Sequence, residues 1–351
     1  MKEEGGIEMS SKTEKRQLEI FVVITYGIPY LMGILMWYGS VKQINLSAFP
    51  NTQMLYPAMG VMFAFLLTRR KDTDMPRAFY RGYILITLIS IVITVLSVLF
   101  PDKEITMPGG NVSVWLLGIQ IILIIGNVLC LVCLLAAGKK KRAAYGLRWK
   151  KGKATVCCIL IFLGLYFLRA ALGYVAMGQF TSFLEILKSP MAWITIATLP
   201  LSFALGYIAF FGEEYGWRYY LQPILQKRFG ARKGVLILGV VWGIWHLPLD
   251  FFFYVTPDKG VIMTISQIIT CVGIGIFMGY VYMKTENIWA PVIVHFLNNN
   301  LALVISGEFS ADVLMNQSVS WGDIPIALLT NGLLFGLFIF AKQYREKPTE
   351  Q

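Results

Sequence analysis

The chain has 351 residues, of which 56% are apolar and only 15% carry a formal charge. Soluble domains sit nearer half apolar and a quarter charged, so this balance, with a mean hydropathy of +0.63, points to a membrane protein. It excludes intrinsic disorder, a secreted disulfide scaffold and a simple soluble enzyme, and leaves a net charge of +11 to be explained.

In chain order, residues 1–17 are polar, carry both signs of charge and read as a cytoplasmic N-terminal segment. The apolar run 18–38 is too long for a signal-peptide core and reads as a retained first span. Runs at 52–68, 83–100 and 113–137 follow and complete a four-span block, 18–138, to which no role can be assigned. The loop 139–153 holds eight Lys and Arg and no acid, and marks the clearest internal boundary. Beyond it, runs at 154–177, 191–215, 235–255, 262–283, 288–306 and 324–341 make a six-span block, 154–341, followed by a short polar tail, 342–351. A span in lipid must satisfy its own backbone hydrogen bonds, so these runs predict an all-α polytopic helix bundle of about ten spans. Alternating strand-length segments of a membrane barrel are absent.

The basic residues orient this bundle. Of the 31 Lys and Arg, 26 fall in the termini and alternate loops on one side. Only Lys42, Lys103, Lys188 and Lys259 fall on the other, and Arg169 lies within a span. The positive-inside rule then places both termini in the cytoplasm and makes the chain a multi-pass protein of the cytoplasmic (plasma) membrane. The excess charge is a topology signal with attraction for anionic lipid, and no basic stripe interleaved with aromatics suggests nucleic acid. The five cysteines, Cys130, Cys133, Cys157, Cys158 and Cys271, all lie in spans and read as packing thiols.

Ionisable residues inside spans are costly and point to function by default. Arg169 can snorkel or pair with a carboxylate. Asp250, one turn beyond His246, can orient that imidazole or serve as an interfacial carboxylate. The strongest group is Glu213-Glu214-Tyr215-Gly216-Trp217-Arg218 at the end of a long apolar run. If the helix continues, Glu214 and Arg218 have ion-pair spacing and Glu213 points about 100° away, free for other work. An interfacial salt bridge at the membrane edge is the bland alternative. The only two histidines in the chain, His246 and His295, tip the balance. Counted from the inner ends of their spans they lie roughly 16 Å and 10 Å deep at 1.5 Å per residue. Asn299 shares a helix face with His295.

Peptide hydrolysis needs a base to activate water, a group to hold that water and donors for the oxyanion. Glu213 can be the base, His246 can hold the water or bind a metal, and His295 with Asn299 can donate to the oxyanion. His246, His295 and Glu213 are also a zinc-ligand set with an open position for water. Neither an H-E-x-x-H nor a G-x-S-x-G motif is present.

Taken together, Glu213-Glu214…Arg218, Trp242…His246 and His295…Asn299 on successive helices resemble the CPBP family of CAAX prenyl proteases, bacteriocin-processing enzymes and Abi-like relatives. The resemblance covers about 90 residues of the C-terminal half. The four N-terminal spans match nothing in it, and Trp242 stands where the family usually has Phe. The resemblance implies an intramembrane endopeptidase with a cytoplasm-facing site, acting on a peptide or protein that is lipid-anchored or a bacteriocin-like precursor. It implies that Glu213 and His246 activate water, that His295 and Asn299 stabilise the tetrahedral intermediate, and that Glu214 with Arg218 braces the helix. Both a zinc-dependent and a metal-free glutamate mechanism are consistent with it. Two other readings stay open: an idle member serving as an immunity factor or scaffold, and a transporter that uses Glu213, Glu214 and the histidines as a proton relay.

Overall fold

The computed structural model describes residues 11–101, 104–107, 110–307 and 315–345. The first ten residues of the expected N-terminal segment, Lys103, and residues 346–351 of the expected tail lie outside the described residues. The first apolar run folds as α1 (Ser11–Val22), a π-helical turn (Val23–Gly27) and α2 (Ile28–Val41). There follow α3 (Ala48–Gln53), α4 (Tyr56–Thr68), α5 (Arg77–Leu99), α6 (Val114–Ala136) and α7 (Gly138–Ala144), the last within the basic loop. The C-terminal half comprises α8 (Gly152–Ala176), α9 (Phe180–Lys188), α10 (Pro190–Glu214), a π-helical stretch (Tyr215–Leu221) and α11 (Gln222–Phe229). It continues with α12 (Ala231–Trp245), α13 (Leu247–Phe252), α14 (Gly260–Thr285) and α15 (Trp289–Ser306). The last run is mixed: α16 (Asp323–Ala327), a π-helical turn (Leu328–Leu333), α17 (Leu334–Gly336) and a 3₁₀ turn (Leu337–Phe340).

The fold is an all-α polytopic bundle, and among the described residues nine helices are long and apolar enough to cross a membrane. Nine of the ten expected spans are among them. The run at 52–68 differs: it is not one spanning helix but the end of α3 and the 13 residues of α4, joined at Met54-Leu55. Most of α4 is buried in the bundle. A broken helix is tolerated at membrane depth only when protein surrounds it, as here. The run at 191–215 is longer than expected, because the helix continues through the π-helical stretch to Phe229. A small antiparallel hairpin, β1 (Glu104–Met107) with β2 (Gly110–Ser113), lies in the α5–α6 connection, outside the apolar runs.

Membrane helices carry their sequence pattern inside out. On α6, Ile121, Ile125, Val128 and Val132 form an exposed stripe at helical spacing, while Asn127 and Cys130 face inward. Asn127 is spent on α10: its Oδ1 accepts from Ile208 N (3.0 Å), its Nδ2 donates to Leu205 O (2.6 Å), and its own carbonyl accepts from the Tyr207 hydroxyl (3.1 Å). The five cysteines are free thiols. Close packing brings the glutamate helix against the broken one. A Cβ at Gly212 would meet Met54 O, and one at Gly216 would meet the Pro57 ring. Gly212 and Gly216 are one turn apart, so the pair forms a small-residue face on which the α3–α4 joint rests.

Candidate active site

Glu213 and Glu214 end α10, and both are buried. The π-helical stretch that follows widens the helix by one residue per turn, a feature frequent at functional sites. Arg218 nevertheless reaches back: its Nε donates to Glu214 Oε2 at 2.9 Å, with both side chains fully buried. Its Nη1 donates to Gly275 O on α14 (3.4 Å), and its guanidinium lies 5.0 Å from the centre of the Trp242 ring. The expected ion pair is therefore present, and it is a buried one rather than a marker of the membrane edge.

Glu214 has a second partner that spacing along the chain could not reveal. Its Oε1 accepts from His295 Nδ1 on α15 at 2.8 Å. A carboxylate oxygen can only accept here, so His295 carries its proton on Nδ1. Arg218, Glu214 and His295 form one chain of charge-assisted contacts across the π-helical stretch and α15. Glu213 is held apart from this chain. Its Oε2 accepts from Trp242 Nε1 (2.7 Å) and from Trp217 Nε1 (3.3 Å). Both bonds fall on one oxygen, and among the described residues Oε1 has no hydrogen-bond donor. Trp242 thus fixes Glu213 by its indole N–H and also lines both imidazoles, with ring centres 5.6 Å from His295 and 6.1 Å from His246. Phe in that position would line the pocket but would have no N–H for the carboxylate.

His246 sits at a break between α12 and α13. Its backbone N–H turns to Gly243 O, three residues back, at 3.1 Å. Its ring Nδ1 donates to Trp242 O at 3.0 Å. A carbonyl only accepts, so His246 carries its proton on Nδ1 and a lone pair on Nε2. Asp250 therefore does not orient this ring through Nδ1. Both Asp250 carboxylate oxygens are buried and, among the described residues, have the hydroxyl of Thr264 on α14 as their polar neighbour without a well-formed hydrogen bond.

Asn299 lies one turn beyond His295 at the exposed rim. Its Oδ1 accepts from Asn298 Nδ2 (3.0 Å), and among the described residues its own amide N–H groups have no acceptor. Arg169 is paired with no carboxylate among the described residues. Its Nη1 donates to Asn298 Oδ1 (3.3 Å) and Asn331 Oδ1 (3.0 Å), and its guanidinium lies 4.2 Å from the Tyr166 ring centre. Among the described residues no three His, Cys, Asp or Glu side chains are grouped to share a metal ion.

The structure thus gathers Glu213, Glu214, Arg218, Trp242, His246 and His295 around one indole, with Asn299 at the rim. Sequence reading missed Trp217, which shares the Glu213 carboxylate. Its i+4 spacing from Glu213 was the available signal. An apolar cleft of about 350 Å³ opens between α2 and α13, lined by Tyr30, Ile34, Trp37, Leu247, Pro248 and Phe251 among others.

Residues 195–301 match the family described as Type II CAAX prenyl endopeptidase Rce1-like. The chain is also similar to the CAAX prenyl protease 2 of Methanococcus maripaludis, 30% identical over 106 residues, which is 29% of this chain. The match spans 39% of the length of that relative. No solved structure matches the chain at a significant level. Every residue gathered around Trp242 falls inside the matched segment, so the likeness to the Rce1-like family covers the whole of this cluster.

Proposed function

We propose that the chain is an intramembrane endopeptidase that hydrolyses a peptide bond with water activated by Glu213. The observation that carries this reading is the division of labour between two adjacent carboxylates. Glu214 is saturated by Arg218 and His295. Glu213 is gripped on one oxygen by two indoles, with the other oxygen uncommitted. A buried carboxylate oriented this way, with one oxygen kept free, suits general-base work.

In this mechanism a water held by the lone pair of His246 Nε2 gives a proton to Glu213 Oε1, and its oxygen attacks the scissile carbonyl. The oxyanion forms toward His295 and the free amide of Asn299. As an oxyanion donor His295 must carry a proton on Nε2 as well, so the mechanism requires its imidazolium, with Glu214 as counter-charge. The carbon–nitrogen bond then breaks, and Glu213 passes its proton to the leaving amine. No step is routed through a metal, because among the described residues no three His, Cys, Asp or Glu side chains are grouped to hold one. The apolar cleft between α2 and α13 favours a lipid-anchored peptide as substrate.

The test is cleavage of a farnesylated C-terminal peptide by purified protein in liposomes, read by mass spectrometry. Cleavage by the wild type that survives exhaustive chelation and is lost in Glu213→Gln supports the reading. Loss of activity on chelation, restored by zinc alone, would replace it with the metal mechanism. No cleavage of any lipidated or bacteriocin-like peptide by well-folded protein would favour the idle immunity or scaffold reading. Cytoplasmic termini belong to the same proposal. They require an even number of crossings, and α3 with α4 would complete the tenth: residues 48–68 would reach about 30 Å as a continuous helix. A C-terminal reporter active only outside the cell would contradict this.

A further inference from the structure

The helix that carries His246 is repaired from outside the family-matched segment. Pro248 has no backbone N–H, so Ile244 O cannot find its helical partner four residues on. The His246 N–H has turned to Gly243 O, and the ladder resumes only with Asp250 N donating to His246 O at 2.9 Å. Three carbonyls around the break, those of Trp242, Ile244 and Trp245, thus need other donors. A buried carbonyl left unpaired is costly. The His246 ring takes Trp242 O itself. Tyr30 on α2 donates its hydroxyl to Ile244 O at 3.0 Å, and Gln53 at the end of α3 donates Nε2 to Trp245 O at 3.1 Å. Trp245 in turn donates its indole N–H to Thr25 O, in the π-helical turn of the first span, at 2.8 Å.

We propose that Tyr30 and Gln53 are positioning residues for His246. By capping the carbonyls on either side of Trp245 they hold the break open in the one geometry that lets Nδ1 reach Trp242 O. Nε2 is thereby kept as the lone pair that faces the reacting water. This assignment gives the unmatched N-terminal spans a part in the chemistry. It rests, for its kinetic consequence, on the peptidase reading above. Tyr26 supplies an internal control. Its hydroxyl donates to Val241 O at 2.9 Å, but Val241 lies inside α12, away from the break.

The test uses the full chain and two readouts. Tyr30→Phe keeps the ring that lines the cleft, and Gln53→Met keeps side-chain length, so both remove a donor with little change of shape. In peptide cleavage the double variant should lose about 10- to 100-fold in kcat, the range expected when a reacting group is misplaced by up to an ångström, with KM unchanged. Tyr26→Phe should stay within about threefold of wild type by the same scale. Independently of activity, ¹⁵N-histidine labelling gives only two imidazole spin systems in this chain, assigned with His295→Gln. The wild type should show His246 as the Nδ1–H tautomer, and the double variant should show a mixture. A His246 ring spectrum in the double variant identical to the wild type overturns the inference, whatever the peptidase assay returns. Unchanged kcat alongside a dead Glu213→Gln would overturn it while leaving the peptidase reading intact.

Discussion

His295 and His246 belong to the same C-terminal region and face the same indole, yet they are held in place by different parts of the chain. His295 is anchored by Glu214, itself paired with Arg218, so its support lies wholly within the family-matched residues. His246 sits in a helix break whose carbonyls are capped by Tyr30 and Gln53, from N-terminal elements that the match does not reach. The C-terminal region thus contributes the groups proposed to react, and the N-terminal one contributes backbone partners and packing. Asn127 of α6, which bonds to α10, and the α3–α4 joint against Gly212 and Gly216 follow the same pattern. Polar groups on one set of helices can depend for their placement on a second set that carries none of the proposed reacting groups.

The comparison can be broken most sharply at the carboxylates. Glu213→Gln should lower cleavage by about 10²- to 10⁴-fold, the scale of general-base catalysis, while the protein still accumulates in the membrane. Glu214→Ala should instead act on stability. It strands Arg218 and releases His295, and breaking a buried pair costs about 3–5 kcal/mol, so folded yield in mild detergent should fall. If Glu214→Ala folded normally and lost only activity, the two carboxylates would not divide their roles as described. The caps on the His246 break come next in size, with the 10- to 100-fold loss given above for the double variant.

The smallest effect lies outside the membrane spans. Lys151 donates to Glu286 Oε1 at 2.6 Å across the loops that precede α8 and α15. That hydrogen bond, with the Lys151 and Lys150 charges, lowers the Glu286 carboxyl below its usual range. A lowered folded value means the contribution is present at neutral pH and is lost as pH falls through the carboxylate range. The pair is partly exposed, so Glu286→Gln should cost less than about 1 kcal/mol at pH 7 and nothing in acid. A difference in melting temperature between wild type and variant that stays constant down to pH 3 would exclude that linkage.

Much of this was legible in the sequence, for physical reasons. Lipid forces apolar runs of fixed length, so nine of the ten expected spans coincide with spanning helices. The run at 52–68 failed the same logic, because α4 is wrapped by protein and is free of the length that lipid would impose. At the site, partners along one helix could be read from spacing, as Glu214 and Arg218 were. Partners across helices could not, which is why Glu214 with His295 and Tyr30 with Ile244 emerge only from the fold. Pro248 was visible two residues after His246, and it is the local signal that the helix must break and that outside donors must be found. Asp250 was left between two roles by its i+4 spacing. It does not orient the ring through Nδ1, which is already committed to Trp242 O, and its buried carboxylate lies beside Thr264 instead.

The central claim is that Glu213 activates the water that cleaves the peptide. It is tested most directly by cleavage of a farnesylated peptide in ¹⁸O-labelled water, comparing wild type with Glu213→Gln. The account predicts one ¹⁸O atom in the new C-terminal carboxylate of the wild-type product and labelled product from the variant at about a hundredth of that rate or less. Labelled product from Glu213→Gln at the wild-type rate would contradict it.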